Sequence, residues 1–162
     1  MLCQYFLSEL QAESVASRKC LERIPESVYS FKPHEKSMEM GYLTLLVAEI
    51  PLWIAKTIED SVINFATYKR FQLTTSAAML AHFEANLTAA ANALANITNE
   101  QLSKPFELKH GDQLLMSSPK LETIGSTLNH WVHHRGQLTV YMRLNDIAVP
   151  SIYGPSADDR NF

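Results

Sequence analysis

Cysteine and glycine are scarce in this chain of 162 residues, which has two cysteines and five glycines. Cys3 and Cys20 both fall in the first predicted helix, about 25 Å apart along its axis, which is too far for a disulfide. We therefore expect two reduced thiols, as is usual in a cytoplasmic protein. The scarcity of glycine and the abundance of Ala, Leu, Glu and Gln favour helix over sheet.

The sequence also lacks a block of basic residues. Its net charge is −3 with neutral histidines, whereas proteins that bind the nucleic-acid backbone usually carry clustered Lys and Arg. Nucleic acid is therefore not an expected partner. Phosphate-binding loops, dinucleotide-binding glycine motifs and the Gly-x-Ser-x-Gly elbow of serine hydrolases are missing as well.

No hydrophobic run is long enough to cross a bilayer. The most apolar stretch, residues 43–55, is interrupted by Thr44, Glu49 and Pro51 and is shorter than the roughly 20 residues that a span requires. The N-terminus also lacks the features of a secretory signal. We expect a soluble cytoplasmic protein without a membrane partner, folded as a single domain over residues 1–162.

Hydrophobic periodicity predicts four helices. They cover approximately residues 2–22, 38–58, 75–97 and 118–144. The candidate helix boundaries are Ser37, Ser118-Pro119 and Asn145. The connections over residues 59–74 and 98–117 are long, and the second suggests a small hairpin at Gly111-Asp112. The predicted fold class is all-α, a four-helix bundle with long interhelical connections.

Three of the six histidines lie close together in the last predicted helix. His130 and His134 are four residues apart, so their rings can approach one point beside the helix, a spacing suited to two metal ligands. Gln137 and Tyr141 continue the same polar face and would line such a site. The same spacing also suits hydrogen-bonded residues at the edge of the core. Spacing by itself leaves both interpretations open.

The last predicted helix and the residues after it carry the sequence NHWVHHRGQLTVYMRLNDIAVPSIYGPSADD. The second helix is entered through KPHEKSMEMG and continues with AEIPLW. These segments resemble the C-terminal signature and the second-helix entry of the DinB/YfiT-like family. The resemblance covers nearly the whole chain and is weakest between residues 60 and 115.

The resemblance implies a four-helix bundle with up-down-down-up topology, often assembled as a homodimer. It also implies a divalent-metal site, usually zinc or nickel, held by three histidines, two of which match His130 and His134. Some members of the family are metal-dependent transferases or isomerases that use a low-molecular-weight thiol. Many others have no established activity.

The third histidine of the family pattern falls five residues after the glycine of the second-helix entry, which is Leu46 in this sequence. Leucine cannot bind a metal, and the apolar periodicity independently assigns Leu46 to the buried stripe of its helix. Glu49, one turn further on, is a candidate third ligand or general base, and His133 or a residue of a partner is an alternative third ligand. The sequence therefore allows a site with a divalent metal and a site with none.

Two functions follow from these residues. In the first, the protein is a metal-dependent transferase or hydrolase, in which a metal on His130 and His134 lowers the pKa of a bound water or thiol. Gln137 and Tyr141 would then orient the substrate. In the second, Leu46 has replaced a ligand, and the protein is a metal-free member of the fold that binds a small molecule or a protein.

Overall fold

The computed structural model describes residues 2–69, 71–72 and 75–161 and is mostly helical. The helices are α1 (Leu2–Leu21), α2 (Met40–Glu59), α3 (Ser76–Asn96), α4 (Asn99–Leu102) and α5 (Lys120–Leu144), and one 3₁₀ turn spans Glu26–Val28. The four predicted helices correspond to α1, α2, α3 and α5 within about two residues at each end. The predicted connection over residues 59–74 lies partly outside the described residues.

Helix α2 lies at the centre of the fold and contacts α1, α3 and α5. Its apolar stripe packs into a core built with α3 and α5, and removing this surface from water is the main force that brings the helices together. The buried residues of that core include Leu43, Val47, Ile50, Ile54, Met79, Phe83, Leu87, Leu94, Ile124, Trp131 and Leu138.

Within the described residues, α2 is also the one helix that is long and apolar enough to cross a membrane, with a mean hydropathy of 1.3. In the fold, however, 61% of that apolar window is buried against the rest of the protein. The central helix of a compact protein has this composition because it is surrounded on several sides. We therefore interpret α2 as a core helix.

A three-stranded sheet corrects the prediction of an all-α fold. Its strands are β1 (Val62–Asn64), β2 (Pro105–His110) and β3 (Gln113–Pro119). The hairpin predicted at Gly111-Asp112 joins β2 to β3, which pair antiparallel, and β1 pairs with β2 in parallel. β1 escaped prediction because three residues are too few to show periodicity and because its partner strand is distant in sequence.

The start of α2 is closed by the preceding loop and not by the predicted cap, Ser37. The amides of Met40 and Gly41 donate to the carbonyls of Phe31 and Tyr29, each at 2.9 Å. These carbonyls satisfy two of the amides that a helix start leaves without partners. The prediction of Ser37 as the cap was wrong because the carbonyls of the loop accept these hydrogen bonds, and the sequence pattern does not reveal such contacts.

The two ends of α5 also differ from their predicted boundary residues. Ser118 and Pro119 belong to β3, so the helix starts at Lys120. At the other end, Asp146 and not Asn145 is left-handed, with φ of 55°. The amide of Ile147 donates to the carbonyl of Met142 at 3.0 Å, which is the Schellman closure of a helix end.

Replacing Gly41 with alanine should destabilise the protein. A Cβ at this position would lie 2.9 Å from the Cβ of Tyr29, and forcing an atom into a packed site costs about 1–3 kcal/mol. Gly136→Ala is the matched control, because nothing lies within 4 Å of its added Cβ; it should stabilise α5 by about 0.5–1 kcal/mol. Urea unfolding measures both, and shifts of the same sign would contradict the close approach at Gly41.

Candidate functional site

His130 and His134 converge on one point beside α5. Their Nε2 atoms are 2.7 Å apart, and their ring planes meet at 67° with centroids separated by 4.5 Å. This is the arrangement predicted from the four-residue spacing, since the intervening turn stacks the two side chains on one helix face. The contact is short enough for a hydrogen bond between the two rings.

Gln137 determines which nitrogen of His134 carries the proton. Its Oε1 lies 2.8 Å from Nδ1 of His134, and because an amide oxygen can only accept, Nδ1 of His134 must donate. Nε2 of His134 then has a free lone pair, so Nε2 of His130 is the donor in the contact between the rings. The three side chains form a chain of hydrogen bonds with one direction.

The environment of His130 favours the neutral imidazole. Partial burial lowers the pKa of His130 below the usual 6.5, and the neighbouring His134 and His133 lower it further. Burial and like charge both disfavour the imidazolium form. A neutral ring is the form that accepts a hydrogen bond or binds a metal.

Tyr141 is held rigidly one turn beyond Gln137. Its hydroxyl donates to the carbonyl of Met38 at 3.3 Å, and its ring meets that of Phe31 edge to face, with centroids 6.0 Å apart. Between α5 and the loop before α2 lies a groove of about 400 Å³, lined by Pro33, Lys36, Ser37, Met38, Gln137, Val140 and Tyr141. We call this the α5 groove. Two of the predicted site residues, Gln137 and Tyr141, line it.

Glu49 does not line the α5 groove. It is 9% exposed, and its carboxylate accepts a hydrogen bond from the hydroxyl of Tyr68 at 2.9 Å. The charge of Glu49 acts on the pKa of His82, a residue of α3, and is not among the causes of the shift at His130. Within residues 2–69, 71–72 and 75–161, no three His, Cys, Asp or Glu side chains are grouped to hold a metal.

His82 is a second feature of the α2–α3 side that the sequence did not reveal. Helical periodicity predicts that His82 is a surface residue beside the apolar stripe of α3. In the structure, the ring of His82 stacks on that of Phe71, with centroids 3.9 Å apart and an interplanar angle of 8°. Its Nε2 is buried and has no hydrogen-bond partner within the part of the chain that the structure describes. Burial lowers the pKa of His82, against an opposing effect of Glu49, so the ring is favoured in its neutral form.

Helices α2 and α5 run antiparallel, which determines the position along α5 that Leu46 of α2 faces. The contacting pairs at the two ends are Lys120 with Ile58 and Asn145 with Met40. Leu46 lies about 9 Å along α2 from its start, and Gln137 lies about 12 Å along α5 from its end. Leu46 is therefore at a similar height to Gln137, and it packs, partly buried, against the hydrophobic core.

Arg135 is the residue of this region whose role was missed by the sequence analysis. It is 1% exposed and forms an ion pair with Glu13 of α1 at 2.5 Å. It also donates to the Glu13 carbonyl at 3.0 Å, to the Ser17 hydroxyl at 3.3 Å and to the Tyr153 hydroxyl at 2.7 Å. The Tyr153 hydroxyl in turn donates to the Glu13 carboxylate at 2.9 Å.

The signal for Arg135 was present in the helical pattern. Arg135 occupies the apolar stripe of α5 together with the buried residues Leu128, Trp131, Leu138 and Met142. A charged residue in such a stripe is buried with its partners, because an isolated buried charge is too costly. The partners are found on α1 and in the C-terminal segment, so the network fixes the orientation of α5 and of the histidines on it.

The C-terminal segment is attached to α5 by a second ion pair. Asp158 accepts hydrogen bonds from the Arg143 guanidinium at 2.6 and 3.2 Å and from the Val149 amide at 2.8 Å. The bond from Arg143, followed by that from Val149, lowers the pKa of the Asp158 carboxyl. Much of the long C-terminal signature therefore has a structural role, since it returns the chain along α5.

Solved structures with the same fold are DinB-like proteins. One, from Bacillus subtilis, has a TM-score of 0.72 and 20% identity, with 96% of this chain and 99% of that chain covered. Another, from Bacillus cereus, has a TM-score of 0.69 and 20% identity, with 91% and 95% covered. At this identity the likeness defines the class of fold.

The particular family is identified by sequence. The DinB family model matches residues 2–161, so the chain belongs to the DinB family. This confirms the resemblance found in the two sequence segments. No protein of curated function matches the chain in sequence.

Proposed function

We propose that this DinB-family protein binds a small molecule in the α5 groove and does so without the three-histidine metal centre that the resemblance implies. The observation that carries the proposal is the donor set. His130 and His134 converge, but among the described residues no third His, Cys, Asp or Glu is grouped with them to hold a metal. The family resemblance assigns the third ligand position to residue 46, which is leucine in this chain. Catalytic zinc sites use three protein ligands, so the residues present do not fit such a centre.

The geometry beside the histidines supports ligand binding. The α5 groove has a volume of about 400 Å³, within the range of about 300–1,000 Å³ typical of small-molecule sites. Its walls combine apolar side chains with a few polar groups, and Gln137 connects them to His134. A ligand in the groove would therefore contact the hydrogen-bonded histidine pair through one amide.

The test is to fill the groove. A fragment library is screened by ligand-observed NMR against the native protein and against Val140→Trp, a substitution at a groove residue that is 57% exposed. Val15→Trp is the matched control, because Val15 is 52% exposed on α1 and does not line the groove. Binders should be lost in Val140→Trp and retained in Val15→Trp. Fragments that bind Val140→Trp as well as the native protein would show that the ligand site lies outside the α5 groove.

The second candidate is a metal-dependent transferase or hydrolase with zinc or nickel on His130 and His134. The observation in its favour is that Oε1 of Gln137 holds Nδ1 of His134, which is how outer-shell carbonyl groups orient metal-binding histidines. This candidate requires about one equivalent of metal in the native protein, lost in His134→Ala. Glu49, the predicted third ligand or general base, accepts a hydrogen bond from Tyr68 and is not grouped with the two histidines among the described residues, so this candidate would need another third ligand or a movement of Glu49.

We further propose that the protein is a cytoplasmic homodimer. The family resemblance supports the homodimer, and the buried thiol of Cys20 agrees with a reducing compartment. Burial raises the pKa of Cys20 to about 11, so the thiol is protonated and unreactive at neutral pH. Light scattering on the eluted protein measures the assembly state, and a monomer mass at micromolar concentration would exclude a stable dimer.

A further inference from the structure

We infer that the α5 groove binds a small carboxylate with an apolar body. The inference rests on the proposal that this groove is the ligand site, and it adds the chemical class of the ligand. Three observations support it: the hydrogen-bonding capacity of the lining residues, the hydrogen-bonded turn that carries two of them, and the apolar character of the rest of the lining.

The polar groups that line the groove are donors without partners. Lys36 Nζ, Ser37 Oγ and the amide nitrogen of Gln137 form no hydrogen bond or ion pair within residues 2–69, 71–72 and 75–161. The oxygen of the Gln137 amide is already occupied by His134, which leaves its two N–H donors for a ligand. No Asp or Glu is among the described residues that line the groove. This lining favours an anionic acceptor.

Lys32, on the same loop, differs from Lys36 in having an ion-pair partner in the part of the chain that the structure describes. It pairs with Glu39 at 3.5 Å and does not line the groove. Lys36 is the groove's only cation among the described residues, and no carboxylate of the described chain neutralises it. A ligand carboxylate would complete this ion pair and accept from Ser37 at the same time, and such charge-assisted bonds are the stronger ones.

Two of the donors, Lys36 and Ser37, belong to a hydrogen-bonded turn. The Lys36 amide donates to Nδ1 of His34 at 3.1 Å, and the Ser37 amide donates to the carbonyl of His34 at 2.9 Å. These two bonds close a turn that holds Lys36 and Ser37 side by side. Binding therefore requires little ordering of the backbone, which is the main cost that preorganised sites avoid.

The rest of the groove lining is apolar. It consists of Pro33, Met38, Val140 and the ring of Tyr141. Val140 is 57% exposed, so a ligand body lying there would remove apolar surface from water. A volume of about 400 Å³ suits a short acyl chain or a single aromatic ring joined to the carboxylate.

The experiment compares matched ligands of different charge. The probes are 3-phenylpropanoate, 3-phenylpropanamide and 3-phenylpropylamine, titrated into ¹⁵N-labelled native protein, Lys36→Gln and Lys32→Gln. The carboxylate should bind with a dissociation constant of about 1 mM, as expected for a ligand of this size. The amide should bind the native protein about tenfold more weakly than the carboxylate does, since one charged hydrogen bond is lost. For the same reason the carboxylate should bind Lys36→Gln about tenfold more weakly than it binds the native protein. Lys32→Gln should leave the affinity unchanged.

The outcomes separate this inference from the proposed function. Equal affinity for the amide and the carboxylate, or equal losses in Lys36→Gln and Lys32→Gln, would overturn the carboxylate assignment while the groove remained the ligand site. A phenylalkyl phosphonate that binds more tightly than the carboxylate would overturn it as well. If no probe and no library fragment of any charge binds in a manner sensitive to Val140→Trp, the proposed function itself fails.

Discussion

Replacing Arg135 with methionine should lower the free energy of unfolding by about 3–5 kcal/mol, the usual cost of removing one partner from a buried ion pair. Arg135 is 1% exposed, and its removal leaves the carboxylate of Glu13, whose side chain is 11% exposed, without its cation. The bond that Arg135 donates to Tyr153 is lost as well. Urea unfolding followed by circular dichroism measures the loss.

A matched control lies two turns away on the same helix. Arg143 pairs with Asp158 while its side chain is 49% exposed, so Arg143→Met should cost only about 0–1 kcal/mol, as for other surface pairs. The double variant Glu13→Leu/Arg135→Met should recover much of the stability, because replacing both buried charges with apolar groups is often neutral. If Arg135→Met and Arg143→Met cost the same, Arg135 does not anchor α5 to α1.

Replacing Leu46 with histidine should create the three-histidine zinc or nickel site that the proposed function assumes to be missing from the native protein. Leu46 lies on α2 at about the height of Gln137. Gln137 is bonded to His134, and His134 and His130 already converge on one point of α5. A third imidazole would complete a three-histidine set, the ligand number of catalytic zinc. The affinity should rise more than about 100-fold, since even outer-shell partners are worth about 10–100-fold.

The measurement is elemental analysis and chelator competition on untagged protein supplied with zinc or nickel. Leu46→Ala controls for the loss of the leucine side chain without adding a donor, and Leu46→His/His134→Ala should lose the new site. Native protein should retain metal only in substoichiometric amounts. If Leu46→His gains nothing, Leu46 is not the position of the third ligand. A full equivalent in the native protein, lost in His134→Ala, would instead favour the metal-dependent enzyme.

Both predictions involve α5, in which the neighbouring residues Arg135 and His134 have different roles. Arg135 faces α1 and the C-terminal segment, whereas His134 faces His130 and Gln137. Successive residues on a helix differ by about 100° in direction, so the same short sequence contributes to the core on one side and to the candidate site on another. A stability loss in Arg135→Met without a change in groove binding would separate these roles experimentally.

The sequence by itself determined what depends on local geometry. The four long helices follow from periodicity over many turns, and the contacts among His130, His134 and Gln137 follow from spacings of three and four residues on one helix. These features involve residues whose relative positions are fixed by the helix to which they belong. The assignment of Leu46 to the third ligand position rests on the family resemblance and on counting from Gly41, and it stays a prediction.

Tertiary structure decided the features that join distant segments. The bond between Arg135 and Glu13 spans 122 residues, and that between Tyr141 and Met38, at the edge of the α5 groove, spans 103. The position of Glu49, one turn from Leu46, follows from helical spacing. Its hydrogen bond from Tyr68 does not, because Tyr68 belongs to the connection that follows α2. Such contacts depend on how separate elements pack against each other, and no local pattern encodes that packing.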